Sequence, residues 1–111
     1  MILIREPISF AELWDKRRVD MGDIMKIVVD IKRNIIGADE EMHADIETHL
    51  LENGSAQQNL WGANLLHTEQ GYEIEFTSFI NIRPGQGNRS MEIELADVRR
   101  QVENLIRKRV V

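Results

Sequence analysis

Four side chains in the segment 41–52, EMHADIETHLLE, could do chemistry together: His43, Asp45, Glu47 and His49. They recur at every second residue. On a β-strand alternate residues project from one face, so two imidazoles and two carboxylates would line up. Such a donor set suits a divalent metal such as zinc, iron, nickel or manganese. With His43, Asp45 and His49 as ligands, Glu47 would be left as the general base of a small metal-assisted hydrolase. On a helix His43 and Glu47 would still share a face, but His49 would point elsewhere. The segment holds no H-E-x-x-H pattern. The competing reading is a solvated polar face on an antiparallel sheet.

A second group of residues lies in INIRPGQGNRSM, residues 80–91. An apolar alternation runs into Arg83-Pro84, then a glycine-containing loop, then Arg89. Pro84 biases Arg83 to an extended conformation, which on a strand keeps it on the face of Asn81. Gly85 and Gly87 let the backbone turn and let a ligand approach main-chain N–H groups, and Asn88 tolerates a left-handed conformation. Two guanidiniums brought together would favour a phosphate or carboxylate between them. Asn81, Arg83, Gly85, Gly87, Asn88 and Arg89 are therefore the candidate residues of a small-anion site. The competing reading pairs Arg83 with Glu75 or Glu94 and leaves Arg89 solvated. The glycine spacing is not that of a dinucleotide-binding loop.

These residues need elements to position them. Ser9 and Glu12 have capping-box spacing, and Ile8 and Leu13 could form a hydrophobic staple, so a helix starts there. Phe10, Leu13, Trp14 and Arg17 form one of its faces, and Gly22 can end it. Ile2 and Ile4 suggest a short edge strand before it. Residues 25–31 alternate, with Met25, Ile27, Val29 and Ile31 on one side, as a half-buried strand does. Lys32-Arg33-Asn34 then turns into Ile35-Ile36. Segment 41–52 fits both periods. Its composition favours a helix, whereas the glycine turn and the strands that follow favour a meander, and strand is the expectation adopted.

Residues 60–67 and 72–83 flank Thr68-Glu69-Gln70-Gly71 as a hairpin. Placing Leu65 opposite Ile74 makes the apolar faces coincide. Thr77, Asn81 and Arg83 would then share the face opposite Phe76 and Ile80. Leu95, Val98, Val102, Leu105 and Ile106 form the stripe of a C-terminal helix with acidic residues at its start and basic ones at its end. Trp14 and Trp61 sit in apolar patterns and read as core, and His67, at a hairpin end, reads as exposed.

The bulk properties set outer bounds. The 111 residues make one expected domain, 1–111, of a size that buries about 65% of its unfolded surface. With no cysteine, disulfides and thiolate chemistry are excluded. A formal charge of −5 disfavours non-specific nucleic-acid binding and anionic membranes. The apolar runs are too short to span a membrane and no signal peptide is evident, so a cytoplasmic protein is expected.

The phrases MHADIE, LLENGSAQQNLWGAN and EFTSFINIRPGQGNRSMEI resemble a small family of uncharacterised bacterial proteins, a domain of unknown function. The resemblance spans roughly residues 24–98. It implies a bacterial origin and brings no activity, cofactor or catalytic residue. The resulting expectation is an α+β fold, a meander-like antiparallel sheet with N- and C-terminal helices on one face. Its function is expected to be that of a homo-oligomeric binding module for a small anion, with the metal-assisted hydrolase as the alternative.

Overall fold

The computed structural model describes residues 1–111. Its strands are β1 (Ile2–Ile4), β2 (Ile24–Asp30), β3 (Ile35–Ala38), β4 (Leu60–Thr68) and β5 (Gly71–Glu75). Its α-helices are α1 (Phe10–Lys16), α2 (His43–Glu52) and α3 (Ala96–Arg109). The strands form one antiparallel sheet in the order β1-β3-β2-β4-β5. The fold is α+β. Two hairpins are joined through β2 and β4, and β1 adds to the outer edge of β3, so the sheet is not a strictly sequential meander.

Terminal helices α1 and α3 cover one face, as expected. Met25, Ile27 and Val29 of β2 and Trp61, Ala63 and Leu65 of β4 meet Phe10 and Leu13 of α1 and Val102, Leu105 and Ile106 of α3. Helix α1 begins as its sequence implies, with the Glu12 amide donating to Ser9 Oγ at 3.1 Å. Its end differs. The helix stops at Lys16 with Arg17 as its cap, and Gly22, at φ +68°, serves the turn into β2.

Segment 41–52 departs from the strand expectation, since His43–Glu52 is a helix. The reason lies on the sheet. Val28, Ile35 and Leu60 make a second apolar face, and Ile46 and Leu50 of α2 cover it. The helix lies so close that a Cβ on Gly37 would stand 2.6 Å from Ile46 Cγ2. Strand β2 is therefore buried on both sides rather than one, and Val28 has no exposed surface.

The second departure concerns residues 72–83. Leu65 does face Ile74, but the ladder ends at Asn64–Glu75. Beyond it the chain leaves β4 and turns to residues 91–93. The Ser78 amide donates to Met91 O at 3.1 Å and the Ile93 amide to Phe76 O at 3.0 Å. Short 3-10 turns follow at Phe79–Asn81 and Pro84–Gln86. No helix is long and apolar enough to cross a membrane.

Candidate functional site

Helical geometry separates the four residues that a strand would align. His43 is buried with Ile46 and Leu50 on the inner face of α2. Asp45 and His49 lie about 200° and 240° round the axis from it, and both are exposed. The His43 ring Nε2 lies 2.8 Å from Ala63 O. Burial lowers the His43 pKa below its ordinary value, and the Lys26 charge adds to this, against the hydrogen bond to Ala63 O. His49 Nε2 sits 3.6 Å from Glu40 Oε1. Glu47 lies about 40° round the axis from His43 and pairs with Arg83, Oε2 to Nη2 at 3.3 Å. His43, Asp45 and His49 thus do not converge, and no group of three or more His, Asp or Glu side chains is placed to hold a metal ion.

Beneath His43 the sheet carries a polar row, because Lys26, Asn64 and Glu75 are direct cross-strand neighbours on β2, β4 and β5. Asn64 Nδ2 donates to Glu75 Oε1 at 2.8 Å. Asn64 Oδ1 is buried without a hydrogen-bond partner.

In the 80–91 loop, the side chains of Asn81, Arg83 and Asn88 bind the protein itself, whereas the Arg89 guanidinium is exposed. Arg83 is not on a strand. Its Nε donates to Ile80 O at 3.0 Å and its Nη1 to Gln57 O at 2.7 Å. Its guanidinium also lies 4.8 Å from the centre of the Trp61 ring. The partner is Glu47 rather than Glu75 or Glu94. Burial lowers the Arg83 pKa, and Glu47 opposes the shift.

Asn81 stands in for a missing strand. Where β5 has ended, its Oδ1 accepts from the Gly62 amide at 2.8 Å and its Nδ2 donates to Gly62 O at 2.9 Å. A side chain at Gly62 would block this, since its Cβ would lie 2.5 Å from Ser78 Cβ. Asn88 has no exposed surface. Its Nδ2 donates to Asn81 O at 2.8 Å, Ser90 O at 3.1 Å and Glu92 O at 2.8 Å, and its Oδ1 accepts from the Glu94 amide at 2.7 Å. Gly87, at φ +87°, closes the Pro84–Gln86 turn, while Gly85 has open space around it. Arg89 is exposed and its amide donates to Glu94 Oε2 at 3.1 Å.

An open, partly aromatic groove lies elsewhere, where α1 meets the far end of the β4–β5 hairpin. A groove of about 450 Å³ is lined there by Phe10, Trp14, Asp15, His67, Thr68 and Glu69, among others. Its aromatic rings form a tilted cluster. Centroid distances are 5.6 Å for Phe10–Trp14, 4.9 Å for Trp14–His67 and 5.0 Å for Phe10–Tyr72. Trp14 is half-buried, packed against the margin of the larger core, and His67 is exposed. The sequence held a usable signal. Phe10 and Trp14 share a helix face four residues apart, and the hairpin register sets His67 opposite Tyr72. Nothing local says that these two pairs meet.

The chain belongs to the family described as a protein of unknown function (DUF5674), whose family model matches residues 2–109. The likeness therefore extends beyond the motifs in the middle of the chain. No curated protein and no solved structure matches it.

Proposed function

We propose that this member of the family is a binding module whose ligand sits in the groove between α1 and the β4–β5 hairpin. The observation that carries this reading is the groove itself. Its volume of about 450 Å³ falls in the range of about 300–1,000 Å³ typical of small-molecule sites. Its walls include the half-buried Trp14 ring and the exposed His67 ring beside the buried Phe10, an apolar surface with polar groups at its edge of the kind that small-molecule sites use. The side chains of Arg83 and Asn88 are engaged by backbone carbonyls, an amide and Glu47, which leaves those two little capacity for a ligand.

The test is an amide-resolved NMR screen with small aromatic and aliphatic probes. Binding should shift the amides of Thr68, Glu69 and Ala11, and Trp14→Ala should abolish those shifts while the rest of the spectrum stays dispersed. Probes that shift only the 80–91 loop, or that bind equally to the Trp14→Ala variant, would overturn the reading.

A further inference from the structure

Resting on the groove as the binding site, we propose that its ligand is a small organic cation, a substituted ammonium group carried on an apolar body. Aromatic faces attract cations through the ring quadrupole, most strongly for indole. Two rings of this cluster already hold guanidiniums of the chain itself. Arg17 Cζ lies 4.0 Å from the centre of the Trp14 ring, and Arg107 Cζ lies 5.1 Å from that of Tyr72.

The charges at the groove agree with this occupant. Asp15 comes from α1 and Glu69 from the hairpin loop, so two carboxylates approach the groove from two elements. Neither takes part in any ion pair within 4.0 Å. No lysine or arginine is among the lining residues. An anionic ligand would meet both carboxylates, and the guanidinium nearest the groove, that of Arg17, is already held on the Trp14 ring. A neutral apolar ligand would displace water from them and return nothing. An ammonium group satisfies the rings and the carboxylates together, and the overall charge of −5 favours its approach.

The experiment compares two probes of nearly equal shape, choline and its uncharged isostere 3,3-dimethylbutan-1-ol, by amide-resolved NMR titration at low salt. They are titrated into the wild type and into the Asp15→Asn/Glu69→Gln double variant, whose changed side chains are exposed. Choline should shift the groove amides with an affinity at least about tenfold above that of the isostere. The double variant should lose about that factor for choline and keep its affinity for the isostere. Equal affinities, or a preference for the isostere, would overturn the cation while leaving the groove as a binding site. If neither probe shifts a groove amide, both the cation and the groove reading fall. Choline binding unchanged in the double variant would likewise remove the carboxylates from the proposal.

Discussion

Asn88 makes four hydrogen bonds to backbone groups through one amide, and each bond ties down a carbonyl or N–H that no regular element satisfies. Asn88→Ala should cost about 2–4 kcal/mol, since buried backbone groups lose their partners without gaining water. Denaturant unfolding measures this, and a loss under about 0.5 kcal/mol would mean the loop repacks. Arg83 is a similar case. Its side chain is 10% exposed and that of Glu47 is 14% exposed. Arg83→Ala should cost about 2–4 kcal/mol by leaving a nearly buried carboxylate unpaired. Glu47→Gln should cost less, because a neutral amide can still accept from the guanidinium.

His43 offers a pH test. Its folded-state pKa is lowered, chiefly by burial. The unfolded chain therefore binds the proton more readily. The contribution is present in full above the ordinary histidine pKa of about 6.5 and is lost as pH falls from there through the lowered value. Stability profiles of wild type and His43→Gln should converge over that interval as the wild type loses more. Parallel profiles would show that the buried ring does not couple folding to protons.

At the scale of elements, α2 and the β4–β5 hairpin behave differently. Helix α2 rests on Gly37, and Gly37→Val should lift it, because even the first carbon would meet Ile46 at 2.6 Å. Loss of helical circular dichroism with retention of a folded sheet is the expected result, and an unchanged spectrum would refute the close packing. Trp61 is 1% exposed in the larger core. Trp61→Ala should cost about 3–5 kcal/mol, as large aromatic truncations do, measured by chemical unfolding. The register that buries Trp61 was legible, because apolar positions on both arms coincide only when Leu65 faces Ile74. The length of β5 was not. Its apolar alternation continues past Glu75, but the strand's partner from Phe76 onward is the segment 91–93, which the hairpin pattern does not contain.

Across the whole molecule, the two faces of the sheet carry unequal cores. The cluster under α1 and α3 holds 17 buried residues, and the cluster under α2 holds 5. Segments with fewer buried apolar contacts open at lower free energy. Hydrogen exchange should therefore report earlier opening of α2 amides than of β2 and β4, and equal protection would mean that both faces unfold as one unit. On the surface, Phe79 stands out at 77% exposed. Phe79→Ser should change monomer stability by less than about 0.5 kcal/mol, so any larger loss, or a drop in sedimenting mass, would mark that ring as part of an interface.

The sequence by itself determined the class and most of the frame. Two terminal amphipathic helices, the β2–β3 turn and the β4–β5 register follow from periodicity, capping and turn residues, which are properties of a few consecutive side chains. It also determined which residues are unusual, since His43, Asn81, Arg83 and Asn88 all prove to be buried or tightly bonded. Only the tertiary structure decided what those residues do. In 41–52 a four-residue apolar recurrence fits a strand and a helix alike, and the choice fell to a distant apolar face on β2, β3 and β4 that needed a cover. Once the segment was helical, its alternating polar residues turned to different sides and Glu47 met Arg83 across 36 positions of chain. The groove depends on tertiary structure in the same way. Phe10 and Trp14 stand more than fifty residues before His67 and Glu69 in the chain, and only the packing of α1 against the hairpin end brings rings and carboxylates to one opening.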